Sequence, residues 1–204
     1  MDNPSRSERT RNATIRAALA IIARDGPGRL TLDAIARESG ISKGGLMHQF
    51  PTKRAVLKAL LEHQIEHFDA FSRKYRAEQG AAHAEPHLAV QIATMREAIA
   101  GPDPVASAIL AAMTEDPGLL AVTRDIDARS VAAIKAEAAD PELAVLRWVA
   151  ARGLVLAALL GTCPFSEAER ARLFDRLLDD QQWSAPSRTG ARAGRASKQK
   201  AKRA

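Results

Sequence analysis

Apolar residues recur along this 204-residue chain at intervals of three and four positions, the spacing of a helix with one buried face. In "ERTRNATIRAALAIIARDG" the apolar stripe is Ile15, Ala18, Leu19 and Ile22, and Gly26 stands just past its end. Proline and glycine divide the rest of the chain into further helical segments, and no strand pattern or internal repeat is visible. The sequence therefore predicts an all-α fold of about nine helices.

Residues 31–50 are predicted to form two short helices joined by a tight turn. Thr31 is the predicted N-cap of the first helix, and Ser42 caps the second, whose inward face is Leu46 and Phe50. A turn containing Gly40 between two such helices is the helix-turn-helix layout, in which the second helix enters the major groove of DNA. A helical hairpin that binds no DNA would show the same spacing.

A long helix is predicted from the cap Thr52 to about Gln79. The later helical segments are predicted at 86–100, 104–116, 117–139, 141–161 and 166–182. The domain prediction is an N-terminal arm at 1–8, a domain at 9–60 with its helix-turn-helix at 31–50, a C-terminal helical domain at 61–183, and a basic, disordered tail at 184–204.

Charge is distributed unevenly along the chain. Residues 1–60 carry 11 Lys and Arg against 5 Asp and Glu, residues 61–183 carry 12 against 19, and residues 184–204 carry 7 against none. The basic front indicates an anionic partner there. The solvent face of the second short helix contains no carboxylate and consists of Ser42, Lys43, Gly44, Met47 and His48. Basic residues expected around this face are Arg6, Arg9, Arg11, Arg16, Lys53 and Arg54.

The residues from Gly40 to Lys53 follow the spacing Gly-Ile-Ser-Lys-Gly-x-Leu-x-x-x-Phe-Pro-x-Lys. With "AALAIIARDG" and "TLDAIARESGISKGGLMHQFPTKRAVL", residues 9–60 resemble the N-terminal domain of the TetR family of bacterial transcriptional regulators. The resemblance implies a homodimer that binds double-stranded DNA at a palindromic operator. It also implies a C-terminal pocket for a small-molecule effector, whose identity the sequence leaves open.

The resemblance implies DNA-binding roles for eight residues: Thr31, Ser42, Lys43, Gly44, Gly45, Met47, His48 and Lys53. Thr31 and Ser42 would contact phosphate or support the turn, and Lys43 with Gly44 would face the groove. His48 would lie near a phosphate or base edge, and Lys53 would contact a phosphate. Where the family usually has a tyrosine that reaches a phosphate, this chain has Met47, whose thioether donates no hydrogen bond.

Two adjacent glycines inside a predicted helix require an explanation, because each costs about 1 kcal/mol relative to alanine. Close approach of the helix to DNA would explain Gly44. Gly45 would instead allow close packing against the preceding helix.

An effector pocket is predicted in the C-terminal segment from apolar residues at helical spacing: Phe68, Phe71, Tyr75, Met95, Ile99, Ile109, Met113 and Ile126. Such a lining favours a lipophilic or aromatic effector, although an ordinary helical core shows the same pattern. The last two helices are predicted to form the dimer interface through Ala150, Gly153, Ala157, Gly161, Leu173 and Leu177. A buried monomer core is the alternative for these helices.

Two rival functions remain open from the sequence. The stretch "HQIEH" at 63–67 matches the H-x-x-E-H pattern of zinc hydrolases, and His83 with His87 repeats its histidine spacing. Its position on a helix directly after the DNA-binding segment favours solvated surface, so we predict no enzyme activity, cofactor or metal. A ligand-independent architectural DNA-binding protein is the second alternative.

Cellular location is predicted from the most apolar segment and the cysteine count. Arg152 interrupts the apolar segment 148–165, which is too short to span a membrane. A single cysteine fits a reducing compartment. We therefore expect a cytoplasmic, nucleoid-associated protein without membrane contact.

Overall fold

The computed structural model describes residues 3–101, 104–115 and 117–183, without the side chains of 3–6, 104, 111–117 and 119–120. These residues form nine α-helices and no strand, which confirms the all-α prediction. The helices are α1 (Asn3–Asp25), α2 (Leu32–Ser39), α3 (Lys43–Gln49), α4 (Lys53–Gln79), α5 (Pro86–Glu97), α6 (Pro104–Glu115), α7 (Pro117–Glu137), α8 (Pro141–Leu159) and α9 (Glu167–Leu178).

Side-chain caps and prolines set the starts of most helices. The hydroxyl oxygens of Thr31, Ser42 and Thr52 accept a hydrogen bond from the third residue of α2, α3 and α4 respectively. This replaces a hydrogen bond that the first helical turn lacks. Helices α5 to α8 each begin with proline, whose missing N–H is not needed at that position. Gly40 ends α2 in the left-handed region, with φ of 68°.

Helix α1 begins at Asn3, so residues 3–8 of the predicted arm are part of this helix. Nothing between residues 3 and 8 interrupts a helix, because Pro4 falls in the first turn, where proline is tolerated. At the other end of the fold α9 stops at Leu178, short of the predicted 182. The side chain of Asp179 accepts from the Gln181 N–H, and a short 3₁₀ turn follows. The tail at 184–204 lies outside the described residues.

A first hydrophobic core joins α1 to α4 with α6. Val105, Ala108 and Ile109 of α6 belong to this core, and α6 packs against both α1 and α4. Ile109 therefore serves the core shared with the DNA-binding segment, although the sequence placed it in an effector pocket. Helix α6 thus connects the predicted C-terminal domain to the N-terminal one.

A second core joins α5, α7, α8 and α9. Its buried members are Leu88, Ile92, Ile134, Ala144, Trp148, Ala151, Phe174 and Leu177. The far end of α4 reaches this half of the molecule, where the hydroxyls of Ser72 and Thr94 of α5 lie 2.8 Å apart. Helix α4 is therefore a single continuous helix that contacts both halves. None of the helices in the described part combines the length and apolar character that a bilayer span requires.

A buried arginine of α8, Arg147, links the start of α5 to the end of α9. Arg147 is 4% exposed. Its guanidinium donates to the Leu177 carbonyl at 2.6 Å, to the Glu85 carboxylate at 2.7 Å and to the Asp180 carboxylate at 3.1 Å. The Trp183 ring lies 5.6 Å from the same guanidinium. A buried cation needs such partners, because desolvation costs several kcal/mol.

Asp180 extends this network toward α4. Burial raises the pKa of Asp180, but hydrogen bonds from the Ala84 N–H, Arg147 and His83 outweigh burial, so the pKa lies below its usual value. The Asp180 carboxylate is therefore the stable counter-charge of the arginine. His83 Nδ1 lies 3.3 Å from this carboxylate, and His83 Nε2 lies 3.2 Å from the hydroxyl of Tyr75 at the far end of α4.

Replacing Arg147 with glutamine is expected to lower the free energy of unfolding by about 3–5 kcal/mol at pH 7, because two half-buried carboxylates lose their counter-charge. Urea denaturation followed by circular dichroism measures the change. Arg96→Gln is the matched control, since Arg96 forms an exposed ion pair with Asp175 at 2.9 Å and should cost no more than about 1 kcal/mol. Equal losses in the two variants would contradict a structural role for the Arg147 network.

Candidate nucleic-acid interface

One apolar face orients α3. Leu46 and Phe50 are buried in the first core together with Ile35 of α2, and α3 packs against α1 and α2. The opposite face of α3 is therefore directed to solvent. Lys43, Gly44, Gly45, Met47 and His48 are all exposed, in addition to Thr31, Ser42 and Lys53. The fold thus brings the eight predicted DNA-binding residues to the surface on and beside α3.

Thr31 and Ser42 cap the starts of α2 and α3 through their oxygens, and Ser42 thereby supports the turn between the two helices. Thr31 Oγ1 accepts from the Ala34 N–H at 3.1 Å, and Ser42 Oγ accepts from the Gly45 N–H at 3.2 Å. Each hydroxyl keeps a hydrogen that it can donate to another acceptor. Supporting the turn and contacting a phosphate are therefore compatible roles.

The two glycines of α3 have different surroundings. A Cβ built on Gly44 would meet no atom within 4 Å, so this position is bare toward solvent. A Cβ on Gly45 would lie 3.1 Å from Ser42 Oγ and 3.5 Å from Ile41 Cγ2. Gly45 therefore makes room for the turn and its cap, and its nearest neighbours are turn residues rather than α2. Gly44 remains as the glycine that leaves the exposed face of α3 open.

A carboxylate that the sequence analysis missed contacts Lys43. The Asp33 Oδ1 atom, in the first turn of α2, lies 2.8 Å from Lys43 Nζ, and the two side chains are 65% and 61% exposed. Hydrogen bonding to Lys43, followed by its charge, lowers the pKa of Asp33. No local spacing reveals this pair, because the turn between α2 and α3 brings together residues ten positions apart.

The start of α1 is attached to the end of α3. Gln49 Nε2 donates to the backbone carbonyl of Ser7 at 3.1 Å and lies 3.3 Å from Ser7 Oγ. This contact was not predicted, since the segment before residue 9 was expected to be a separate arm. The first turns of α1 therefore lie beside the exposed face of α3.

The basic residues around α3 differ in their partners. Arg16 and Lys53 are exposed. Arg11 instead forms an ion pair with Glu62 of α4 at 3.1 Å, so it links α1 to α4. The side chain of Arg6 lies outside the described residues. Part of the basic surface that the sequence predicted around α3 is therefore used in a contact between α1 and α4.

The predicted effector residues do not all come together. Phe68, Phe71, Tyr75, Met95, Ile99 and Ile126 are partly buried, whereas the side chain of Met113 lies outside the described residues. Met95 and Ile99 pack against the second core, and the rings of Phe71 and Tyr75 stack at 6.1 Å. Phe68 lines an open cleft of about 310 Å³ between α1, α4 and the end of α5. The six residues remain candidates for contact with an effector.

An apolar stripe lies on the surface of α8. Leu146 and Leu160 are 64% and 62% exposed, and Val149 and Leu156 are also exposed. These residues flank Ala150 and Gly153, which are exposed as predicted for the dimer interface. Ala157 and Leu173 are partly buried, and Gly161 follows the end of α8 with φ of 68°. Leu177 is only 7% exposed and belongs to the second core, so the protomer itself uses its side chain.

The histidines of the second pair, His83 and His87, contact other residues of the protein. His83 contacts Tyr75 and Asp180, and His87 Nδ1 lies 2.7 Å from the Glu137 carboxylate. Over the ranges that the structure describes, no three His, Cys, Asp or Glu residues are grouped as metal ligands.

Two family models match the chain. A model described as "Bacterial regulatory proteins, tetR family" matches residues 15–60, and "Tetracyclin repressor-like, C-terminal domain" matches residues 85–180. The first covers the whole helix-turn-helix, and the second covers α5 to α9. Among curated proteins, no sequence matches the chain.

Solved structures share the fold at low sequence identity. The multidrug binding protein EbrR complexed with imidazole is 21% identical, with a TM-score of 0.61 over 88% of this chain and 97% of that chain. A transcriptional regulator from Streptomyces coelicolor A3(2), SCO7518, is 19% identical, with a TM-score of 0.61 over 84% and 99%. AmtR of Mycobacterium smegmatis is 22% identical, with a TM-score of 0.52 over 86% and 87%.

Gly44→Ala is expected to stabilise the free protein by about 1 kcal/mol, because the new methyl group meets no atom and alanine favours the helix. The same methyl group should reduce the affinity for specific DNA about tenfold, equivalent to ~1.4 kcal/mol, if α3 approaches DNA closely. Thermal unfolding and fluorescence anisotropy measure the two effects. Gly45→Ala is the control and should give no gain in stability. Unchanged DNA affinity in Gly44→Ala would show that α3 does not approach DNA closely at position 44.

Proposed function

The chain belongs to the TetR family of bacterial regulatory proteins, and from this premise we propose that it is a ligand-responsive homodimeric repressor of a palindromic operator. The observation that carries the proposal is the exposed face of α3, which holds Lys43, Gly44, Met47 and His48 and no carboxylate of its own. The orientation of α3 is fixed by Leu46, which is buried in the first core on the opposite side of the helix. A helix held in this way can enter the major groove with its side chains directed at base edges.

Each exposed residue has a proposed role in binding DNA. Lys43 and His48 offer donors to base acceptors or phosphates, and Lys53 offers a charge to a phosphate from the start of α4. Met47 is 43% exposed and offers an apolar surface that suits the methyl group of thymine. Met47 would thus make an apolar contact with a base, where the tyrosine usual in the family reaches a DNA phosphate.

Two copies of the chain are proposed to meet through α8 and α9. The exposed stripe on α8 continues past small residues, at which the backbones of two helices can approach closely. Symmetry would then place two α3 helices on successive turns of DNA, about 34–36 Å apart. A palindromic operator follows from this arrangement.

The proposed effector is a small lipophilic or aromatic molecule that binds in the C-terminal half and releases the operator. EbrR, which shares the fold, is described in complexes with imidazole, ethidium and malachite green. Two elements offer a route for the signal, since α4 contacts both cores and α6 packs into the first one. The coupling required is about 1–3 kcal/mol, which a small change in the tilt of α4 could supply.

The family consists of regulators, and we propose that this chain has no catalytic activity of its own. Its proposed site of action is chromosomal DNA, which corresponds to a cytoplasmic, nucleoid-associated protein. The architectural alternative, a DNA-binding protein without an effector, differs in one respect. No small molecule would then change its affinity for DNA.

Selection of bound duplexes from a random DNA pool tests the function. The expected product is a palindrome with half-sites one helical turn apart, because a symmetric dimer presents two identical α3 helices. The matched control is a His48→Ala, Lys43→Gln double variant, which should enrich no common sequence. Absence of any enriched motif with the unaltered protein would reject the proposed function.

Ala150→Glu is expected to convert the dimer to a monomer, because it places a charge in the proposed contact between α8 helices. Sedimentation equilibrium gives the mass directly. Ala77→Glu on exposed α4 is the matched control and should leave the dimer intact. A dimeric Ala150→Glu variant would place the dimer interface elsewhere.

A further inference from the structure

We infer that Asp33 is a specificity-determining residue, which holds Lys43 of α3 until a correctly placed DNA acceptor takes the lysine over. The observation is the 2.8 Å contact between Asp33 Oδ1 and Lys43 Nζ on the exposed side of the helix-turn-helix. The inference rests on the proposed function, since it assigns α3 to the DNA groove. It places a carboxylate beside α3, whose own exposed residues are neutral or basic.

The position of Asp33 favours the charged form of its carboxyl group, which attracts the lysine. The residue lies in the first turn of α2, where the helix dipole favours a negative charge, and the pKa of its carboxyl is lowered by Lys43. Because Lys43 lowers its pKa, the carboxylate is ionised at neutral pH. Lys43 is the first residue of α3, so the pair bridges the two helices of the motif.

The exposure of the pair makes it exchangeable. Both side chains are more than half exposed, and water and salt weaken an ion pair of this kind. A lysine ammonium has three donors on a flexible stem, so it can move from the carboxylate to a DNA acceptor without repacking the core. The competition between carboxylate and DNA is therefore decided by how well the acceptor is placed.

This competition acts differently on specific and non-specific DNA. On random DNA the phosphates pass α3 in many registers, and the carboxylate retains Lys43. At the operator, a base edge or phosphate in fixed register takes the lysine. Asp33 thus removes about one charge contact from non-specific binding, which depends almost wholly on such contacts. Discrimination increases although no contact to the operator is added.

The experiment compares Asp33→Asn with Glu38→Gln in the full chain. Both variants lose one negative charge on α2, but Glu38 pairs with Arg24 at 3.0 Å rather than with a residue of α3. Affinity is measured by anisotropy between 50 and 200 mM KCl on a random-sequence duplex and on the selected operator. Thermal unfolding of each variant confirms that it is folded.

In Asp33→Asn the salt dependence on random duplex should steepen by about one contact per protomer, and two contacts per dimer add about a 12-fold loss of affinity across this fourfold salt range. Operator binding should change less, so the ratio of operator to random affinity falls. Glu38→Gln should change neither slope nor ratio. An unaltered slope and ratio in Asp33→Asn would overturn the inference while leaving the proposed function intact.

A double-variant cycle with Lys43→Gln distinguishes retention of the lysine from simple repulsion. If Asp33 acts by holding Lys43, Asp33→Asn should have little effect on random-duplex affinity in the Lys43→Gln background. An undiminished effect there would overturn the inference, since the carboxylate would then act on the phosphates directly. Failure of the unaltered chain to bind any DNA would instead reject the proposed function.

Discussion

The burial of Leu46 and Phe50 is the constraint from which the DNA-facing surface follows. These two side chains fill one face of α3 in the first core. A helix of seven residues has little stability of its own, so this packing and the Ser42 cap hold it in place. Once that face is buried, the pitch of the helix decides which residues face outward. The tolerance for two glycines in so short a helix has the same origin, because the helix depends on packing rather than on propensity.

Two helices, α4 and α6, connect the two hydrophobic cores. Helix α4 runs from the first core to the network of Tyr75, His83 and Asp180. Helix α6 belongs to the C-terminal half by sequence and to the N-terminal core by packing. A rearrangement among α5, α7 and α8 thus has two routes to the DNA-binding helices. One route passes along α4, and the other passes through the side chains of α6 that pack against α1.

The helices and the local motif could be predicted from sequence because their determinants are local. Caps, prolines and three-four spacing lie within a few residues of the feature that they specify. The role of Ile109 and the internal use of Arg11 could not be predicted, since each depends on which distant helix lies opposite. The Asp33–Lys43 pair was missed for the same reason. The proposed dimer interface is an intermediate case. The apolar excess of α8 is visible in the sequence, but the use of Leu177 in the core of the protomer is not.

The attachment of Gln49 to Ser7 has a consequence for how the protein can change over evolution. The shorter of the two contacts goes to the main-chain carbonyl of Ser7, an acceptor that every amino acid possesses. Substitutions at position 7 would therefore keep the contact as long as α1 stays helical there. Position 49 has no such freedom, because a long side chain with a donor must reach across from α3. Position 7 can therefore change in sequence while the contact that places α1 beside α3 is kept.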